Sequence, residues 1–404
     1  MVVMDRLLFN VFLAIVILSG LMNIALYTLL DNEATNFHDI GVGKQLRVFV
    51  REDNTKPNSN PKSNSNAKSN DKEPIMNIIS ASGTALTPEI IDQLPSWSEV
   101  TSLYGSTPQI VGLDQCTNFQ LHIPKDDAYI APSGLFNTGT NILSETMQKY
   151  CSLPSRSQSK KRLAHPNGEP PLLRQISGML WQVPWGKHNP ISWRTHHNAV
   201  VGSTNVEQTH VLPVAIIKDP FHWMGSMCRH SYAANWGHDP LHCPNLVPSE
   251  VDIGKRGITV SSKSIPVTVA FQQDKKTQYD SLLDLWNKWY GEYLEIKEFP
   301  RLIIRFEDLL FHLEETVTEI CHCAGGTVIN AESGIHLKNE AAKKGKAHGG
   351  SNGLLSAISR YGSKQHRLGT MTTNDIQHAN ENANSELMKL FHYNYPESTA
   401  DSNR

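Results

Sequence analysis

Residues Ala131–Met147 read APSGLFNTGTNILSETM, a glycine-bracketed loop between a short apolar run and an amphipathic helical pattern. A strand that turns through such a loop into a helix aims backbone N–H groups and the positive helix end at one point. That makes it an anion cradle. Gly134 and Gly139 have the G-x-x-x-x-G spacing of a nucleotide phosphate loop. Thr140 and Asn141, however, stand where a Walker A loop has Lys followed by Ser or Thr. The lysine that grips phosphates and the hydroxyl that holds Mg²⁺ are both missing. The loop suits a phosphate but not Mg-ATP chemistry.

Beyond this loop, apolar runs alternate with helical patterns. Ala128–Ala131, Leu180–Trp185, Val211–Ile217 and Leu302–Phe306 read as strands. Thr138–Tyr150, Pro220–Trp236, Tyr279–Ile296 and Glu314–Cys323 read as helices, with Pro220 in a favourable first-turn position. Pro213 suits the start of its strand better than the centre. The alternation predicts an α/β domain with a mainly parallel sheet flanked by helices. Ligands of such sheets sit at the C-terminal strand ends, where the glycine loop, Trp185–Pro190 (WGKHNP) and Lys218–Pro220 (KDP) all fall.

Leu7–Leu30 carries no charged residue and as a helix would be about 36 Å long, enough to span a bilayer. Arg6 precedes it and Asp31 and Glu33 follow, so the run predicts a single N-terminal transmembrane helix in the type II orientation. Residues 1–6 would be a cytosolic tail, 7–30 the anchor and 31–99 a disordered stem. A catalytic domain would fill 100–398, with 399–404 as a tail. The stem expectation rests on Arg51–Pro74, whose Asn/Ser/Lys/Pro composition cannot bury enough apolar surface to offset its ordering entropy. The net charge is −2, which gives no reason to expect nucleic acid as a partner. All six cysteines lie beyond the anchor; the even count fits a lumenal, disulfide-permissive compartment and leaves the pairing open.

Lys218 closes one strand, and Ser226 lies two turns into the helix that follows. A cation and a hydroxyl so placed can converge on one phosphate. Together with the glycine loop, these stretches resemble the sulfotransferase family that uses 3′-phosphoadenosine 5′-phosphosulfate. Phe136–Ile142 (FNTGTNI) resembles that family's P-K-[ST]-G-T-[TN]-W loop, and Lys218–Ser226 (KDPFHWMGS) its R-x-P-x-x-x-x-x-S element. Leu302–Leu310 (LIIRFEDLL) is similar to its Y-E-D-L region. The resemblance covers roughly residues 105–396 and implies a P-loop NTPase-like sulfotransferase fold. It implies that Asn137, Thr138, Gly139, Thr140 and Asn141 cradle the 5′-phosphate, and that Lys218 and Ser226 take the 3′-phosphate.

Two residues depart from the family pattern. Asn137 occupies the position of the loop lysine, and Lys218 replaces an arginine, so a bidentate contact becomes a point charge. WGKHNP resembles the family's K-T-H-x-P segment, in which the histidine is the general base. By that resemblance His188 is the base, and Lys187 could supply the positive charge missing at Asn137. Imidazole is well poised to accept a hydroxyl proton, and charge growing on the departing phosphate oxygen wants a fixed cation. His196, His197 and Glu145 are rival bases, and Arg194 is a further anion contact. Lys343–Lys346 (KKGK) faintly resembles the family's R-K-G loop but reads first as a solvated charge run. The remaining His and Cys spacings match no zinc pattern, so no metal is expected.

The expected activity is transfer of a sulfuryl group from 3′-phosphoadenosine 5′-phosphosulfate to a hydroxyl of a secretory-pathway acceptor, a glycan first of all, at the Golgi membrane. Asn137 keeps open a catalytically inactive protein that binds nucleotide or glycan. A P-loop kinase is a third alternative, against which the missing Walker lysine argues.

Overall fold

In the computed structural model, residues 71–154, 178–195, 207–239, 241–271, 276–339 and 353–396 are described, and all belong to one compact unit, Asn64–Arg404. The strands are β1 (Ile110–Val111), β2 (Tyr129–Gly134), β3 (Cys151–Ser152), β4 (Val211–Ile217), β5 (Ala234–Asn235), β6 (Val267–Ala270), β7 (Lys276–Tyr279), β8 (Leu302–Arg305) and β9 (Thr327–Val328). The first five helices are α1 (Glu73–Ala81), α2 (Pro88–Gln93), α3 (Trp97–Tyr104), α4 (Cys116–His122) and α5 (Thr140–Tyr150). They are followed by α6 (Pro220–Arg229), α7 (Leu282–Glu295), α8 (Asp308–Phe311) and α9 (Leu313–Cys323). The last three are α10 (Leu354–Tyr361), α11 (Thr373–Asn382) and α12 (Ser385–Leu390).

The central sheet runs β1-β8-β4-β2. β4 pairs in parallel with β2, Tyr129 opposite Val211 through Gly134 opposite Ile216, and with β8, Val214 opposite Leu302 through Ile217 opposite Arg305. All seven residues of β4 are buried, which is why this strand reads as an unbroken apolar run. Pro213 lies one residue ahead of the β8 pairing, so its missing N–H interrupts no bond to that neighbour.

The sheets correct the expected fold class. β1 joins β8 antiparallel, and the two other sheets, β3–β9 and β5-β6-β7, are wholly antiparallel. The described fold is therefore mixed α/β with mixed sheets, not a mainly parallel P-loop NTPase-like sheet. The antiparallel strands escape pattern reading because they are two to four residues long and partly polar, as in KTQY of β7. No helix among the described residues is long and apolar enough to cross a membrane; the Leu7–Leu30 run lies outside them.

Other boundaries shift for local reasons. The helix expected over 220–236 stops at Arg229, and the chain turns into β5. Leu180–Trp185 forms turns, with a single bridge from Met179 to Ile130 beside them. Packed helices also begin well before Val100. Ile75 and Ile79, one turn apart on α1, are buried in the core together with Leu94.

The six cysteines form three disulfides. Cys116–Cys323 ties α4 to α9, and Cys151–Cys321 ties β3 to the same helix. Cys228–Cys243 ties the last turn of α6 to the loop beyond β5. The site-bearing half is braced differently, by aromatic side chains of α7. Each fills core volume and spends its polar tip on a strand end or on the WGKHNP segment beside it. Trp286 Nε1 donates to Lys218 O at 2.9 Å, Tyr290 OH to Ile216 O at 2.7 Å and Trp289 Nε1 to His188 O at 3.0 Å. The Tyr293 hydroxyl pairs with Ser133 Oγ at 2.5 Å.

Candidate active site

The glycine loop leaves β2 at Gly134 and enters α5 at Thr140. Its shape is held from within and from α6. Thr138 Oγ1 donates to Leu135 O at 2.7 Å, and Trp223 Nε1 donates to Phe136 O at 2.8 Å. Gly139 has φ +86°, and a Cβ there would stand 2.6 Å from the Phe306 ring, so both torsion and space require glycine. No side chain caps α5, whose N-cap is Gly139. The first amides of the helix thus keep the donor capacity that suits an anion.

Asn137 sits in the left-handed region at φ +65°, which asparagine tolerates. Its amide donates to His230 O at 2.8 Å and lies 3.4 Å from Ser226 O. The side chain thus pins the loop to the end of α6 and carries no charge.

Lys218 joins the two motifs that sequence spacing singled out. Its ammonium donates to Asn137 O at 3.3 Å and to Ser226 Oγ at 3.2 Å, and it lies over the rings of Tyr361 at 3.8 Å and Phe306 at 4.2 Å. Lys218 is 1% exposed. Burial lowers its pKa, opposed by Tyr361 and Glu307. Arg229, itself exposed at the rim, reaches inward to place Nη2 at 3.1 Å from Ser226 Oγ and 3.5 Å from the Tyr361 hydroxyl. The Ser226 and Tyr361 oxygens are 3.3 Å apart.

The nearby carboxylates are committed elsewhere. Asp219 caps α6 at Phe221 N and His222 N and forms an ion pair with Arg367 at 2.8 Å. Glu307 accepts from Asp219 N at 3.1 Å and from Tyr393 OH at 3.0 Å. Burial, and then the Asp219 charge, push Glu307 up to about 7. Among the described residues neither Lys218 nor Arg229 forms an ion pair with a carboxylate. Two cations and two hydroxyls converging without a carboxylate make an anion site.

On the other side of the loop, WGKHNP runs alongside the end of β2. Gly134 N donates to Lys187 O at 3.0 Å, and His188 Nδ1 donates to Gly134 O at 2.7 Å. The carbonyl can only accept, so this bond fixes the Nδ1–H tautomer and places the ring's lone pair at Nε2. The ring packs on Phe136 of the loop at 4.7 Å between centroids and is half-buried. Lys187 Nζ donates to Asn141 Oδ1 at 3.0 Å and stacks 3.4 Å over Trp181. A cation therefore stands at the first turn of α5 although the loop itself has none.

Comparison with protein-family models, with curated proteins and with solved structures finds no match.

All nine site residues expected from sequence fall in this one region, at or beside the loop. Two further members, Arg229 and Tyr361, were not anticipated. Arg229 was within reach of sequence reasoning, since it follows Ser226 by one helical turn. Tyr361 arrives from 135 positions beyond Ser226 and carries no local signal. Arg194 stacks on Phe299 at 4.0 Å. Glu145 is exposed on α5, with its pKa raised by partial desolvation. His196, His197 and Lys343–Lys346 lie outside the described residues. No group of three or more metal-ligating side chains is clustered among the described residues.

Proposed function

We propose that the chain is a sulfotransferase that moves a sulfuryl group from 3′-phosphoadenosine 5′-phosphosulfate to a hydroxyl of a lumenal acceptor, a glycan first of all. The observation that carries this reading is the Lys218 ammonium, held between the loop carbonyl of Asn137 and the hydroxyl of Ser226 with no carboxylate on it. Opposite ends of one bisphosphorylated adenosine fit the two anion-seeking features, the uncapped start of α5 and the Lys218–Ser226–Arg229 cluster.

His188 would take the proton of the acceptor hydroxyl at Nε2 while the acceptor oxygen bonds to sulfur. The bond from sulfur to the 5′-phosphate oxygen breaks in the same step, and its electron pair leaves with adenosine 3′,5′-bisphosphate. Lys187, whose Nζ meets Asn141 at the first turn of α5, would supply the cation for that leaving oxygen. Three disulfides support an oxidising, secretory compartment such as the Golgi lumen.

The test is incubation of the full-length protein with sulfur-labelled donor and a panel of glycans, glycolipids and tyrosine peptides. Transfer without added metal to a hydroxyl acceptor is the expected result. Binding of adenosine 3′,5′-bisphosphate without transfer would instead favour an inactive nucleotide-binding protein, the role that the uncharged Asn137 admits. No binding at all would end the donor-site reading.

A further inference from the structure

The Lys218 cluster holds a group that phosphate binding alone does not require. Burying an ammonium without an anionic partner is costly, and such a site either shifts the cation's protonation or acquires an anion. The acidic group that touches both cations is Tyr361, at the C-terminal end of α10. Its hydroxyl is 3.5 Å from Arg229 Nη2 and 3.3 Å from Ser226 Oγ, and Lys218 Nζ lies 3.8 Å over the ring. We propose that the Tyr361 hydroxyl is the resident counter-ion of this site, and that a phosphate entering the site takes its place and returns a proton to the phenol. The inference deepens the donor-site reading and rests on it for the identity of the phosphate.

Tyr361 is fixed where it can do this. Tyr104 OH donates to its carbonyl at 2.7 Å, and the rings of Phe306 and His222 meet it edge-on at 5.0 Å and 5.2 Å. The groups that face it are Lys218 from the end of β4, and His222, Ser226 and Arg229 from α6. Glu307 acts from the start of α8 through Lys218, and Arg360 precedes it on α10. His222 is held neutral there, its pKa lowered to about 3 by burial. Burial alone would push the Tyr361 phenol up, but the charges of Lys218 and Arg229, with the Ser226 hydroxyl beside it, outweigh that and bring it down to about 7. At pH 8 the phenol is then mostly ionised and offsets one of the two cation charges from within. A phosphate dianion must displace that phenolate, whose pKa rises once a second anion is beside it.

Ultraviolet difference titration of the full-length protein against Tyr361→Phe tests the first half. One tyrosine should ionise near neutral pH and be missing from the variant; Arg229→Gln should move that ionisation toward the ordinary tyrosine value. Ionisation of Tyr361 only near pH 10 overturns the proposal. Calorimetry with adenosine 3′,5′-bisphosphate in buffers of different ionisation enthalpy tests the exchange. At pH 8, where phosphate is already fully ionised, binding should take up about 0.9 proton. Uptake should be near zero in Tyr361→Phe and unchanged in Glu307→Gln, which removes a neighbouring buried group also brought to about 7. Adenosine 5′-phosphate, which lacks the group destined for this end, should take up none.

Loss of the competing phenolate should also tighten bisphosphate binding about tenfold at pH 8 and leave it within about twofold at pH 6. Tight binding without proton uptake overturns the exchange while sparing the donor site. Absence of bisphosphate binding overturns the exchange and the donor-site reading together, and the titration still decides whether Tyr361 is the counter-ion.

Discussion

At the Lys218 end of the site the lysine, Ser226 and Tyr361 are buried, and each is engaged by another member of the cluster. At the His188 end the imidazole is half-buried with Nδ1 on Gly134 O, and the cation beside it rests on a neutral asparagine and an indole face. The first arrangement is built to hold a fixed charge. On the proposed reading, the second would set an imidazole and a cation beside a reacting group whose charge changes. A site that must grip one part of a molecule while another part reacts needs both kinds of surroundings, and one loop serves them together. Asn137 O faces Lys218 on one side, and Gly134 O faces His188 on the other.

If this division holds, substitutions at the two ends should separate binding from turnover. The largest effect is expected at His188. His188→Ala removes the proton acceptor and should lower labelled-sulfate transfer by about 10²–10⁴-fold. Adenosine 3′,5′-bisphosphate affinity, read by calorimetry, should stay within about twofold. Turnover that survives the change would move the base elsewhere, with Glu145 as the described alternative.

Lys218→Met should do the opposite. Loss of a desolvated charge contact to phosphate costs binding on the order of a hundredfold. Without Lys218 the buried Tyr361 hydroxyl can take up a proton and become neutral, so no buried anion is left unpaired, and thermal stability should hold or rise. A fall in Tm of more than a few degrees would mean that the ammonium serves to pin loop to helix, and the contrast between the two ends would fail at its stronger side.

The same contrast explains what could be read in advance. Lys218 and Ser226 belong to one continuous strand–helix segment, so spacing alone set them on a common face. His188 and Lys187 lie in a short irregular segment and were placed by motif similarity, and the exchange with Gly134 is what makes their position physical. Tyr361 could not be found, because nothing local marks a residue that reaches its partner through the packing of α10. The sheet suffered in the same way. β4 announces itself by seven buried apolar residues, whereas β1, β3, β5 and β9 have two residues each and exist only through pairing with distant partners. Helix α1 was hidden by the polar stretch that precedes it, although Ile75 and Ile79 carry its buried face.

The smallest expected effect probes whether the two ends are mechanically separate. Cys228 lies between Met227 and Arg229 in the last turn of α6, and its bridge to Cys243 closes a loop of 15 positions. Closure of such a loop is worth about 3 kcal/mol in the chain-entropy account. The double substitution Cys228→Ser, Cys243→Ser should therefore lower Tm by roughly 5 °C. The last turn of α6 carries Arg229 and the carbonyls that hold Asn137, so fraying there should weaken bisphosphate binding about threefold. The His188 end is anchored to β2 through Gly134 O, to α7 through Trp289 and to α5 through Asn141. Its turnover at saturating donor should therefore be unchanged. A drop in kcat in step with the loss of affinity would show that the loop transmits disorder from one end to the other, and that gripping and reacting are one cooperative unit.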